Sequence, residues 1–449
     1  MADAGLDTRE FFAQFFPAYM AAHPNITVQY DNLRDNDLRT TVTAGLQNGN
    51  APDIFRLPGG LPLAQLVSEG QVAALDDVIP NFAAWKEAFP ASSFAEGINV
   101  FNGQTYTFPH LSPRYFGSML FYNTAYMQQA GYDPVAKSLT WDEFRDAAMK
   151  ITAQGAGQYY GFLLAGGVTG RWSTFVNNLA RMTTPAGPGS FDWRTGQRIY
   201  TSDAVLAAID LLLAMNSDGS IFPGSISLSQ QEAVANMPQG VAGMFLTEAS
   251  NIGSWRRDNP DFEFGVASQP QPNSGTVYPL TTGPAGMFWV VYGQTQLPGI
   301  AGDLLSFIGS EAGQSTWQSL SAGGPPLSFP AANEIEGLPE QAQTAYALYE
   351  ELVRIGPEPA VRNPDVALVR LESRAVTPDF GETIQGIFTG QLDDARQAMQ
   401  DLEDREEQEL QRAIKAAQDK GAQVSRDDWT FPNWDPTRDY TEADYAALS

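Results

Sequence analysis

Gly166-Gly167-Val168-Thr169-Gly170-Arg171-Trp172 sets an arginine and a tryptophan on a glycine-rich segment just ahead of a predicted helix. A flat indole face beside a planar guanidinium can hold a ligand by stacking and hydrogen bonding. Packing of Trp172 in a core is the alternative use. The run lacks Gly-Lys-Ser/Thr, so it is no phosphate loop. Pro109-His110-Leu111-Ser112-Pro113-Arg114-Tyr115-Phe116 places His110 and Arg114 as polar groups in an apolar neighbourhood, a structural histidine being the alternative for His110. Arg56-Leu57-Pro58-Gly59-Gly60 follows a predicted strand, and open α/β sheets bind ligands at the carboxyl ends of their strands. Such residues suit a pocket with apolar walls and a few convergent polar groups. They supply no metal site, because the chain has only two histidines and His23 ends a helix.

The elements that must position these residues belong to a long, acidic chain. At 449 residues, a prior of roughly 150 per domain suggests two or three units. Twenty-six basic against 52 acidic residues give −26, which excludes a basic footprint for nucleic acid and disfavours anionic membranes. Neutral ligands are not penalised by such a field. With no cysteine, disulfides, thiolate catalysis and cysteine-based metal sites are excluded. No apolar run reaches the ~18–20 residues of a membrane helix. Met1-Ala2-Asp3-Ala4-Gly5 lacks the basic and apolar regions of a signal peptide, so an exported form is expected to have had its signal, and any lipid-bearing cysteine there, removed.

Hydrophobic periodicity predicts helices alternating with strands, an α/β arrangement with a largely parallel sheet. Phe12, Phe15, Phe16 and Tyr19 share one face of a first helix, capped by Asp7 and Glu10 and ended at His23-Pro24; Ile26–Tyr30 reads as a strand. A helix through Leu38, Val42 and Leu46 stops at Gly49, and Asp53–Leu57 is the next strand. Leu139-Thr140-Trp141-Asp142-Glu143-Phe144 is a capping box with a hydrophobic staple. Further strands are expected at Val241–Leu246, Phe262–Val266 and Met287–Val291, and a helix pair over Gly302–Ser321 broken near Gly309-Ser310. Asp393–Lys420 reads as a surface helix, followed by an aromatic strap carrying Trp429, Phe431, Trp434 and Tyr440. Trp141 and Trp317 read as structural.

The order His23-Pro24-Asn25, Gly49-Asn50-Ala51-Pro52-Asp53, Glu69-Gly70, Leu75-Asp76-Asp77, Asn102-Gly103-Gln104-Thr105-Tyr106, Phe121-Tyr122-Asn123 and Thr140-Trp141-Asp142-Glu143-Phe144 resembles the extracellular solute-binding proteins that feed ABC importers, the sugar-binding family that includes maltose-binding protein. Met237–Phe245, Gly286–Val291, Ala301–Gln318 and Pro325-Pro326 extend the resemblance to about residues 8–400. There are two departures. Met1–Leu6 does not read as the family's opening strand, which implies a chain shortened at its start. The tail beyond about residue 400 exceeds the usual end.

The resemblance implies a two-lobed periplasmic-binding-protein-like fold of type II, with the ligand in the cleft between lobes and a long C-terminal helical and aromatic extension. The expected division is 1–116 and 284–326 for the first lobe, 117–283 and 327–400 for the second, and 401–449 for the extension. Crossings are expected near Arg114–Leu120, Gly283–Met287 and Ala322–Pro330, with hinge motion on binding. By match to the family, Glu248, Trp255, Gly286 and Phe288 join Arg56, Gly59, His110, Arg114, Arg171 and Trp172 as ligand-binding candidates, with Arg362 a further one. The implied function is capture of a carbohydrate, an oligosaccharide, outside the cytoplasmic membrane by a monomer. The resemblance further implies a protein that is periplasmic or lipid-anchored as a lipoprotein and that delivers the sugar to ABC permease subunits without cofactor or catalysis. Two other readings stay open. A glycoside-active enzyme would need a carboxylate pair such as Glu248 with a second acid, which no motif supplies. A polyamine or other small-solute binder would need converging carboxylates where the candidate segments carry arginines.

Overall fold

The structure is a computed structural model that describes residues 1–4, 6–321 and 326–448. The side chains of Asp7 and Glu10, read as a helix cap, lie outside the described residues, as does the segment 322–325. Two sheets organise the chain. The first has five strands in the order Asp31–Leu33, Ala2–Ala4, Ile54–Arg56, Trp289–Tyr292, Val72–Ala73. The second has four, in the order Phe264–Ala267, Met119–Asn123, Ala242–Thr247, Tyr160–Leu163.

Each sheet is buried on both faces, as the period-2 alternation of side chains allows. Ile54, Trp289 and Val291 join Phe11, Phe12, Phe16 and Trp317 on one side of the first sheet, while Phe55, Val290 and Tyr292 join Leu38, Val42 and Leu66 on the other. In the second sheet Leu120, Tyr122, Met244 and Leu246 face one core, and Met119, Phe121 and Phe245 the other.

Three expectations about the sheets need correction. The opening residues do form a strand: Ala2–Ala4 pairs in parallel with Asp31–Leu33 and with Ile54–Arg56. Its three residues are all buried, so no alternation marked it. Ile26–Tyr30 does not join the ladder, which starts at Asp31 because its partner begins only at Ala2. The sheets are also mixed rather than largely parallel. Met119–Asn123 runs antiparallel to both neighbours, and so does Trp289–Tyr292. These are the strands by which the chain enters one lobe from the other, so they run against the strands of the βα units.

The helix Trp141–Gly155 carries the expected capping box, Glu143 N–H donating to Thr140 Oγ1 at 3.2 Å and Thr140 N–H to Glu143 Oε2 at 2.9 Å. Pro298–Ile308 and Glu311–Ser321 are the predicted helix pair. Leu327, Phe329 and Ala332 pack in the first lobe's core and Leu338 in the second's, so the third passage between lobes falls between Ala332 and Leu338, later than the expected Ala322–Pro330. Leu280–Thr282 and Val353–Ile355 pair in parallel beside the passages. The long helix Ala395–Asp419 buries Met399, Leu402, Ala413, Ile414 and Ala417. After it, Phe431, Trp434 and Tyr440 close over Phe191 and Trp193, the strap that the aromatic pattern predicts.

Candidate ligand cleft

In the first lobe, Arg56 ends its strand and donates from Nη1 to the carbonyl of Ala4, fixing the exit of the neighbouring strand. Its guanidinium lies 4.7 Å from the centre of the Phe288 ring. His110 packs on the far side of that group, 5.2 Å from Phe288, 4.9 Å from Trp289 and 4.2 Å from Trp317. The imidazole is fully buried with neither nitrogen hydrogen-bonded, and desolvation together with the Arg56 charge pushes its pKa down to about 3. It is therefore a neutral core ring, not a ligand-facing polar group. Gly286 packs so closely on Pro109 that a Cβ there would lie 2.9 Å from the proline's own Cβ. Gly59 is exposed on the open turn after the strand.

In the second lobe, Arg171 and Glu248 meet: Nη2 donates to Oε1 at 2.6 Å, with side chains 16% and 26% exposed. The pair is held yet not sealed. Gly117 lies against it, since a Cβ there would sit 3.3 Å from Glu248 Oε1 and 3.7 Å from Arg171 Nη1. Behind it runs a buried polar network that the sequence reading missed. Ser118 donates to Gln269, Asn178 Nδ2 to Ser118 Oγ at 2.8 Å, and Gln269 Nε2 to the Asn178 carbonyl at 2.9 Å. Arg181, also buried, donates to Ala186 O at 3.0 Å, to the Thr281 carbonyl, and to Thr281 Oγ1 at 3.1 Å. Burial lowers the Arg181 pKa to about 9, which leaves it charged at neutral pH. The network thereby ties Ser118, where the chain has just entered this lobe, to Thr281, where it is about to leave.

Four candidates lie elsewhere. Trp172 is not presented from a loop: the helix Thr169–Arg181 already includes it, its ring is fully buried against Phe388 at 4.7 Å, and Nε1 donates to Gly166 O at 2.8 Å. Trp255 packs edge-on against Phe121 and Phe264, with Nε1 donating to Val234 O at 2.8 Å. A glycine-rich run or a strand end signals exposure of backbone, and does not say which way the next ring turns. Arg114 donates to Val353 O at 2.7 Å and pairs with Asp439 at 2.5 Å. Arg362 donates to Asp427 O at 2.6 Å and to Thr430 O, over the Phe431 ring. Both arginines anchor the C-terminal strap. Among the described residues, no group of three His, Cys, Asp or Glu side chains could hold a metal ion.

Residues 5–315 match the sequence profile described as bacterial extracellular solute-binding protein. The chain belongs to that family. Members bind solutes and are not enzymes, so this chain is a binding protein that works outside the cytoplasm. Solved structures share the two-lobed fold at low sequence identity. A chitin oligosaccharide binding protein is 16% identical, with 92% of this chain and 98% of that one covered and a TM-score of 0.66. An ABC transporter solute binding protein from Thermotoga lettingae TMO, bound with α-D-tagatose, is 16% identical, with 91% and 98% covered and a TM-score of 0.67. The GacH receptor of Streptomyces glaucescens GLA.O, solved unliganded and with acarbose, is 14% identical, with 92% and 98% covered and a TM-score of 0.67. No curated protein sequence matches the chain.

Proposed function

We propose that this solute-binding protein captures a carbohydrate in the cleft between its lobes and hands it to the permease of an ABC importer. The observation that carries the reading is the Arg171–Glu248 pair beside Gly117: planar charged groups, oriented by each other and partly open, next to a stretch of bare backbone. Such groups donate to and accept from sugar hydroxyls without needing to be desolvated afresh. In the first lobe the corresponding candidate is Arg56, stacked over Phe288. The solved structures of the same fold carry tagatose and acarbose, which supports the ligand class. The lobes are the segments 1–116 with 284 to about 333, and 117–283 with the rest. The protein acts as a monomer, closes about its hinge on ligand, and is either free or held by a lipid on the outer face of the membrane.

A thermal-shift screen with tagatose, raffinose, maltotriose and chitotriose tests the ligand class. A rise in melting temperature with at least one sugar is expected, together with a smaller radius of gyration in solution scattering. Stabilisation by spermidine or putrescine and by none of the sugars would replace the reading with a cation binder.

A further inference from the structure

The C-terminal extension walls one side of a half-open cavity of about 530 Å³ against the second lobe. That is the size of a small-molecule pocket. One side comes from the extension, with Glu406, Glu407, Glu409, Leu410 and Trp429; the other comes from Trp193, Arg198, Glu358 and the segment after helix Val366–Glu372. Residues beyond 400 thus wall a space that the rest of the chain leaves open.

The carboxylates around it are already engaged. Glu406 accepts from Arg198 at 2.7 Å and from Tyr200 at 3.2 Å, Glu407 from Arg426 at 2.9 Å, and Glu409 from Arg412 at 2.6 Å and from the Arg374 amide at 2.6 Å. Glu358 pairs with Arg370. Asp379 and Glu382 cap each other's amides at 2.8 Å. Four of these acids are held by arginines and the other two by helix amides, so none projects as a free carboxylate towards a cation. The cavity offers fixed planar hydrogen-bonding groups beside the half-buried Trp429 ring, the surroundings suited to an uncharged, hydroxyl-rich ring.

One edge of the cavity reaches the junction of the lobes. A Cβ added at Gly283, between the two lobes, would lie 3.7 Å from Glu358 Oε2. Next along the chain, Ala360 O would lie 2.8 Å from a Cβ at Gly97 of the first lobe. The cavity's Glu358 edge therefore stands where the lobes meet. We propose that this cavity receives an outer ring of a neutral oligosaccharide whose inner rings occupy the cleft, with Trp429 as its stacking face. This rests on the carbohydrate reading above.

The test uses the full chain and calorimetric titration with raffinose, maltotriose, chitotriose and, as a short probe, tagatose. Trp429→Ala should weaken trisaccharide binding about tenfold. Ala375→Trp, at an exposed position on the cavity wall, should block it with the melting temperature kept, which decides the matter should Trp429→Ala loosen the strap. Tagatose, too short to reach, should bind both variants as it binds the parent. Trisaccharides that bind the parent and both variants equally overturn the cavity assignment alone. A parent chain that binds none of the four sugars overturns the carbohydrate reading, and this proposal with it.

Discussion

The cores of the two lobes treat a buried titratable group in opposite ways. In the first lobe His110 lies among Phe288, Trp289 and Trp317 with no hydrogen bond, and is kept neutral. In the second lobe Arg181 is equally buried but keeps its charge, because Ala186 O, Thr281 O and Thr281 Oγ1 converge on it. The first core is an aromatic block in which an imidazole serves as one more flat ring. The second uses a cation to pin a strand that leaves for the other lobe. The difference teaches where rigidity is needed: the segments at the hinge are held by directional bonds, whereas the first core is held by area and shape.

The largest expected effect comes from removing that cation. Arg181→Leu strips charge-assisted bonds from Thr281 and Ala186, at about 1.5–3 kcal/mol each. A loss of roughly 3–6 kcal/mol in urea unfolding is expected, and a loss below about 1 kcal/mol would show that packing rather than the network holds the strand.

Trp172→Ala comes next. Its buried ring against Phe388 predicts a stability loss of roughly 3–5 kcal/mol with sugar affinity of the folded fraction unchanged. An intact melting temperature with weakened binding would return Trp172 to the cleft.

His110→Phe sharpens the comparison through pH. The folded value of about 3 lies below the ordinary 6.5, so between those limits the unfolded chain takes up a proton that the folded core refuses. The histidine's contribution to stability is complete above pH 6.5 and falls by about 1.4 kcal/mol per unit as pH drops through that window. His110→Phe should remove this part of the slope, leaving the carboxylate contributions common to both proteins. Parallel stability curves for parent and variant between pH 6 and 4 would mean that the imidazole is not held neutral.

The smallest effect is expected at the strap. Asp439 accepts from Arg114 at 2.5 Å and from the Ile355 amide at 2.9 Å, but its side chain is partly exposed. Asp439→Ala should cost about 1 kcal/mol. Faster hydrogen exchange at the Ile355 amide, with little change at Thr281, would separate the strap from the Arg181 network.

Much of the architecture was legible because local chemistry announces it. Thr140 and Glu143 specify a helix start by themselves, and Gly49, in the left-handed region at φ 72°, specifies an end. The aromatic tail was legible as a strap because rings separated by prolines cannot continue a helix and need an apolar surface to cover. The candidate site was less legible. Arg171 and Glu248, 77 positions apart, meet as ion partners, yet neither neighbourhood encodes the other. Trp172, next to Arg171, was misjudged because adjacent residues on a helix point about 100° apart: the arginine faces out and the indole faces in.

By itself, the sequence determined the alternation of helices and strands, the caps, the acidic surface and the membership of a binding family, since these depend on residue type and near spacing. Only the tertiary structure decided that Ala2–Ala4 is a strand, that His110 is a neutral core ring, that Arg114 and Arg362 hold the tail, and that residues beyond 400 line a half-open cavity. The physical reason is the same in each case. Burial, partner choice and enclosed volume depend on segments far apart in the chain, and a side chain's chemistry is set by what finally surrounds it.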